Sequence, residues 1–351
     1  MMVLLAGLLF FGLTFTSSPN YGWAKSSRYF VFGSIMFLSP ILFLRNNWDI
    51  KMMVWTFVIV GLMIGIATIL NIQGTQERAS FLEADDIGTA VKISIGTLIA
   101  FCFIINKHSS KISKIAYGII VFVCFVGIVL TGSRGPLFGL IICFAIAPFL
   151  FGRRVSLYWL IPGLAVGILG FGYSMIKAER EASSSFRRIS ALWEHGDGVE
   201  EAFGSRMPLY TYAISNIPKK PLLGHGTGAF AVDFEGVDER KYPHNIFLEL
   251  GYENGIPGII IFVVFLILIY RKWKESRFYS HQLNNEELYN LSSIAGLIFI
   301  YFFLQVMKSG DLDGNQFLFF CSGFILAINN ATSNYMQKNE LYFNDNTQIE
   351  Q

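Results

Sequence analysis

Apolar residues run through this chain in long, unbroken stretches, and polar residues fall mostly in the short gaps between them. Ten stretches approach or reach the length of a membrane-crossing helix: 2–16, 29–44, 50–72, 87–106, 115–132, 135–151, 155–176, 246–270, 288–306 and 316–330. About 20 predominantly apolar residues cross a bilayer core as an α-helix, and ~17 suffice. Continuous runs with short polar links predict an all-α, polytopic transmembrane helical bundle of about ten spans rather than a barrel. The first run lacks a basic leader and a clear small-residue cleavage site, so it reads as an anchor rather than a removed signal. One gap differs in kind: 177–245 is a long hydrophilic segment. The expected organisation is spans one to seven in 1–176, a large loop in 177–245, spans eight to ten in 246–330, and a tail in 331–351.

Composition narrows the class further. Of 351 residues, 53% are hydrophobic and 15% charged, against ~25% charged in an average soluble domain. That excludes an ordinary soluble enzyme, a secreted disulfide scaffold and a disordered chain. A net charge of +2 excludes a broadly basic nucleic-acid binder. Cys102, Cys124, Cys143 and Cys321 all lie in apolar runs and show no metal-ligand spacing.

Lysine and arginine set the orientation. One set of links carries eleven: Arg45, Lys51, Lys107, Lys111, Lys114, Arg153, Arg154, Arg271, Lys272, Lys274 and Arg277. The other carries five: Lys25, Arg28, Arg78, Arg134 and Lys308. The richer set belongs in the cytoplasm. Both termini are then cytoplasmic, and 177–245 lies outside. That loop holds nine Lys/Arg and ten Asp/Glu, so an anion there must meet placed residues rather than a general field. Within it, Met207, Tyr210, Ala213, Ile214 and Ile217 recur at helical spacing and predict a short amphipathic helix over about 206–217.

Three outer positions carry candidate chemistry. In Thr131-Gly-Ser-Arg-Gly-Pro136, Ser133 suits an N-cap and Pro136 a first turn, which puts Arg134 beside free N–H groups at a helix N-terminus. Ser205-Arg206-Met207-Pro208 repeats that order at the head of the loop helix. Two such arginines suit a diphosphate, which a guanidinium grips in a forked way that an ammonium does not. In Pro243-His244-Asn245, the histidine opens the eighth span, where the helix field favours the neutral imidazole that a general base requires. Glu249 and Glu253 share a face with Asn245 and would orient the imidazole or a sugar hydroxyl, while Asn254-Gly255 and Pro257 should kink the helix just below. The bland alternatives are an interfacial snorkelling arginine, a solvated loop arginine and a structural histidine. Pro221-Leu-Leu-Gly224-His225-Gly226-Thr-Gly228 lacks the Lys-Ser/Thr of a phosphate loop and reads as a tight structural turn, with an anion role for Gly224, Gly226 and Gly228 as the sharper alternative.

Together these stretches resemble the bacterial O-antigen ligase and polymerase superfamily over about 120–270. The ligase branch carries His, then Asn/Ser/Gln, nine residues, Gly, two residues, and Gly/Thr/Tyr; His244, Asn245, Gly255 and Gly258 fill it without a gap. The Ser133-Arg134-Gly135 step, the Arg206 helix and the glycine turn follow in the family's order; Tyr210 stands where relatives often have Trp. The resemblance implies a membrane glycosyltransferase that moves a glycan from an undecaprenyl diphosphate-linked oligosaccharide to an acceptor sugar hydroxyl on a glycan or glycolipid. It implies Arg134 and Arg206 as diphosphate ligands and His244 as the residue that activates or positions the acceptor. One displacement with a diphosphate leaving group should invert configuration. The setting it implies is a bacterial cell membrane, beside other polysaccharide-assembly proteins.

A repeat-unit polymerase is the favoured activity, with a ligase acting on lipid A core or a protein as the alternative. A lipid-linked oligosaccharide transporter is the rival of another class, disfavoured because spans two to seven hold almost no ionisable group apart from Lys92. A non-enzymatic assembly partner is the third. No metal or other cofactor is expected: Ser17–Arg28 has no acid, and Glu77, Glu83, Asp85 and Asp86 have no His or Cys companion.

Overall fold

The computed structural model describes residues 1–70, 86–152, 206–308 and 311–349. All regular structure among them is helical. The helices are α1 (Met2–Gly12), α2 (Pro19–Arg28), α3 (Ser34–Phe43), α4 (Asn47–Leu70), α5 (Asp86–Ile105), α6 (Lys111–Leu130), α7 (Arg134–Leu150), α8 (Met207–Asn216), α9 (Ala229–Glu235), α10 (Ile246–Gln282), α11 (Glu286–Val306) and α12 (Gln316–Ile349). A π-turn at Tyr29–Gly33 joins α2 to α3 into one 25-residue rod, Pro19–Phe43.

Among the described residues, six segments are long and apolar enough to cross a membrane: that rod, α4, Ile87–Ile105, α6, α10 and α11. The chain is a multi-pass membrane protein. The count differs from the ten expected stretches for identifiable reasons. α1 ends at Gly12 and α7 has 17 residues, so both are apolar but short. α12 covers 316–330 but carries more polar residues, and it continues as a helix through the stretch expected to be a tail. The expected span 155–176 and the loop residues before Arg206 lie outside the described residues, as do 71–85.

Of residues 17–28, expected to be an external loop, Pro19–Arg28 instead form α2 and shift the start of the second span back to Pro19. Hydropathy misses this because the helix is polar at its head. Pro19 opens it without wasting an N–H. Its first amides are satisfied from far along the chain: the Asp238 carboxylate accepts from the N–H of Asn20 and of Tyr21, each at 2.9 Å, and from the Ser18 hydroxyl.

The chain divides into two compact units, Met1–Ile50 with Ser205–Gln351, and Lys51–Gly204. In the second, backbone meets backbone at small residues: a Cβ on Gly61 would stand 2.9 Å from the Gly96 Cα, and one on Gly127 3.1 Å from the Gly65 Cα. The rings of Trp55, Phe103 and Tyr117 stack alongside.

In the first unit, α12 packs on α3, α10 and α11, and α1 packs on α10. The loop elements α8 and α9 cover the outer side of α10 through Leu209, Ala213, Ala229, Phe230 and Tyr252. The buried face of α8 is therefore Leu209, Tyr212 and Ala213, whereas Met207 and Ile214 of the expected stripe are exposed. α10 runs as a helix to Gly255, where φ 68° and ψ −164° break it, as the Asn254-Gly255 step and Pro257 predict.

Candidate functional site

The head of α10 shows how a short sequence aims a side chain. Asn245 is the N-cap: its Oδ1 accepts from the amides of Phe247 (3.0 Å) and Leu248 (3.2 Å), and its Nδ2 donates to the Met307 carbonyl (3.1 Å). Both ends of that amide are consumed, so Asn245 fixes the turn and ties it to the end of α11. His244 precedes it at φ 54°, a left-handed conformation uncommon outside glycine. Its ring lies 4.5 Å from that of Tyr242, and its Nδ1 is buried without a partner in the described structure.

Arg206 occupies the N-cap position of α8, one place later than Ser205, which lies outside the described residues. Its guanidinium donates to the Lys308 carbonyl, in the turn that follows α11. Arg206 and Asn245, the neighbour of His244, thus both bond the same turn, 307–308. The electrostatics register that closeness. Burial, then the charges of Arg206 and Lys241, push the His244 imidazole down to about 4. Burial and Arg206 likewise bring the Lys308 ammonium down to about 8. The result is a neutral imidazole in a cationic setting.

Glu249 and Glu253 do not face the imidazole. They are buried on the side of α10 toward α2, where both meet the fully buried Lys25: its Nζ is 2.6 Å from Glu253 Oε2 and also pairs with Glu249 Oε1. Both Glu249 oxygens further accept the Leu312 amide at 3.1–3.2 Å. Their role is to fasten α2 and the 311–315 turn onto α10. Lys25, expected on an external link, instead falls on a candidate span, so Lys92 is not the one exception in spans two to seven.

That turn, Asp311-Leu-Asp-Gly-Asn315, brings in residues the sequence reading passed over. Arg240 grips Asp311 with a fork, Nε to Oδ2 and Nη2 to Oδ1 at 2.8 Å each. Arg28 Nε donates to Asp313 Oδ2 at 2.6 Å. Burial would raise both carboxyls; the Arg240 fork overrides it and holds Asp311 below the usual range, while burial and the neighbouring Asp311 charge raise Asp313. Only the polar island 307–315 between two apolar runs signalled this cluster in the sequence.

The glycine turn is a strap. Gly224 donates its amide to the Lys220 carbonyl, His225 to Tyr252 and Gly226 to Glu253, at 2.8–3.0 Å. Those N–H groups are committed to protein carbonyls, so the turn braces the α10 kink rather than offering them to an anion. Gly228, at φ 79°, precedes α9 and packs against Gly22.

In the second unit, Ser133 holds the N-cap position of α7 but makes no side-chain cap bond; Arg134 is the first residue of that helix and Pro136 lies in its first turn. No cluster of three or more His, Cys, Asp or Glu suited to a metal ion occurs among the described residues.

A multi-pass helical protein that sets a neutral histidine beside an arginine at the end of its helices has the outline of a membrane transferase. Residues 119–263 match the family described as O-antigen ligase, and over that region the chain resembles the O-antigen ligase and polymerase superfamily. The match takes in Ser133, Arg134, Arg206, the glycine turn, His244 and the α10 kink. No curated protein matches the chain. The resemblance points to a membrane glycosyltransferase of the ligase and polymerase type acting on a lipid-linked glycan.

Proposed function

We propose that the protein transfers a glycan from undecaprenyl diphosphate to an acceptor sugar hydroxyl, and that it acts as a repeat-unit polymerase. The observation that carries this reading is that Arg206 and Asn245, the residue after His244, both bond the 307–308 turn, which sets the imidazole within reach of the Arg206 charge. The acceptor oxygen attacks the anomeric carbon while His244 takes the hydroxyl proton on a ring nitrogen. The new C–O bond forms as the bond to the diphosphate breaks, and the diphosphate leaves with the electron pair. Arg206 and Lys308 supply fixed positive charge to the leaving group, the role that a divalent cation fills elsewhere. Arg134 is assigned the same ligand on the family resemblance. One displacement inverts the anomeric centre, and no metal takes part. Asn245 positions the imidazole, whereas Glu249 and Glu253 hold the frame. The Lys/Arg asymmetry places the large loop outside a bacterial inner membrane and both termini in the cytoplasm.

The test is transfer by purified protein with a lipid-linked donor. His244→Ala should lower the rate by ~10²–10⁴. Arg206→Lys should lower it by roughly ten- to a hundred-fold, the worth of a charge-assisted contact. Near-wild-type turnover in His244→Ala removes the histidine from the chemistry. Deletion in the native host separates the activities: single-repeat glycan marks a polymerase, and full-length glycan left on its lipid carrier marks a ligase.

A further inference from the structure

We propose that the cleft at the far end of α8 is a saccharide-binding subsite for glycan units remote from the bond being made. The proposal rests on the glycan-transfer reading above and names where a longer substrate is held.

The cleft encloses about 400 Å³ within the first unit, near the low end of the ~300–1,000 Å³ of ligand sites, enough for a small saccharide. It has two kinds of wall, both of which a sugar ring needs. One is aromatic. Phe15 and Tyr212 present partly exposed rings. Behind them the His225 ring stacks on Tyr252, with centroids 4.3 Å apart and planes 13° apart. Such faces take the C–H face of a pyranose, and their rigidity costs little ordering on binding.

The other wall is polar and pre-aligned. Asp233 accepts from the Ser17 hydroxyl at 2.9 Å on Oδ1 and from the Tyr252 hydroxyl at 2.8 Å on Oδ2. A carboxylate has about four acceptor sites, so Asp233 is held firmly with capacity to spare for sugar hydroxyls. Asn216 also lines the cleft; its Nδ2 is spent on the Tyr212 carbonyl, and its Oδ1 is the acceptor end of that amide. Lys220 adds an exposed ammonium that suits a hydroxyl or the carboxylate of an acidic sugar. None of this serves a lipid tail or a bare phosphate: the aromatic faces are too few for the first, and Asp233 repels the second.

Position strengthens the argument. Arg206 stands at the first end of α8 and Asn216 at its last. Ten residues of helix separate them by about 15 Å at ~1.5 Å per residue. A glycan anchored at Arg206 and His244 must extend by several sugars to reach the cleft, so the subsite would read the length or identity of the oligosaccharide, not the reacting sugar.

The probe is oligosaccharide cut from the host's own polysaccharide, one repeat and two repeats long, offered to the full-length protein in lipid nanodiscs. Saturation transfer from the aromatic protons should detect binding. Phe15→Ala with Lys220→Ala, both on exposed side chains, should weaken it by about ten-fold or more. In the transfer assay the same double variant should raise KM and leave kcat unchanged. A rise confined to the acceptor's KM marks an acceptor subsite, and one confined to the donor's KM marks a donor subsite. Absence of binding by the wild type, or equal affinity and KM in the double variant, overturns the proposal. His244→Ala separates this from the catalytic reading: it should abolish transfer and keep fragment binding. Transfer that survives in His244→Ala strikes the catalytic assignment alone, because fragment binding still judges the cleft.

Discussion

Lys25 offers the sharpest test of how this fold is held. Its ammonium is fully buried, and it neutralises two carboxylates on α10 that are themselves about 1% exposed. Lys25→Met keeps the length and apolar stem but strands Glu249 and Glu253 as neighbouring buried acids. Removing one partner of a buried ion pair costs about 3–5 kcal/mol, most of it the desolvation of the charge left behind. Chains of about 150–250 residues lose roughly 2–4 °C per kcal/mol, so the unfolding temperature should fall by on the order of 10 °C. Cys102, Cys124, Cys143 and Cys321 are all buried. A dye that fluoresces on reacting with thiols therefore reports unfolding in detergent without added labels. The triple variant Lys25→Met/Glu249→Gln/Glu253→Gln removes the stranded charge, and the side-chain carbonyl it introduces at position 249 can still accept the Leu312 amide; it should recover most of the loss. Wild-type melting of Lys25→Met would refute the reasoning. So would a triple variant as unstable as the single one, because the defect would then be one of shape and not of charge.

Three further outcomes are expected. In histidine-labelled protein, His244 should titrate near pH 4 by NMR instead of near 6.5; because the unfolded chain takes up that proton first, its setting costs stability as pH falls from about 6.5 toward 4. Arg206→Gln should move that titration up by about one pH unit and still leave it below 6.5, since burial is the larger cause; an ordinary titration in the wild type contradicts the cationic setting. Gly226→Ala should sharply lower the folded yield, because φ is 100° there and the new Cβ would stand 2.6 Å from the Thr16 Cα, whereas Gly236→Ala, at φ 78° with open space around it, should cost far less; equal yields would mean that the strap does not brace the kink. In a cysteine-free background, a cysteine at Gly196 should react with an impermeant thiol reagent on intact cells and one at Gln337 should not, and reversed labelling would place the site on the wrong side of the membrane.

Hydropathy made the long spans legible, because a helix that faces lipid must be apolar over most of its length. It failed where polar residues are buried by pairing. α2 reads as a loop because its head and Lys25 look solvated, yet Asp238 takes up Ser18 and the first amides, and Glu249 and Glu253 take up Lys25, from more than 200 positions away. Local motifs did better where their physics is local: the Asn245 cap and the Gly255 break need only neighbouring residues. The pairing of Arg206 with His244 was legible only as two separate helix heads. What joins them is the 307–308 turn, whose contribution is mostly backbone carbonyl and so leaves no mark in side-chain identity. The same holds for α8, where helical spacing was clear but Leu209 and Tyr212, not Met207 and Ile214, face the bundle.

The distribution of charge partners explains why Arg206 stands out beside Arg28 and Arg240. Lys25 is matched by Glu249 and Glu253, Arg28 by Asp313, Arg240 by Asp311 and Lys241 by Glu235. Each of those cations spends its charge on a carboxylate and ties two parts of the first unit together. Arg206 bonds a carbonyl instead, and no carboxylate among the described residues pairs with it. A carbonyl satisfies a donor but leaves the full positive charge in place. Burial is the larger cause of the low His244 and Lys308 values, and that residual charge depresses both further, an unfavourable arrangement by itself. It becomes favourable only when an anion arrives, and the binding of that anion would raise the affinity of His244 for a proton. A diphosphate donor would therefore strengthen the base at the moment the acceptor needs it, so the two helix heads act as one device rather than two.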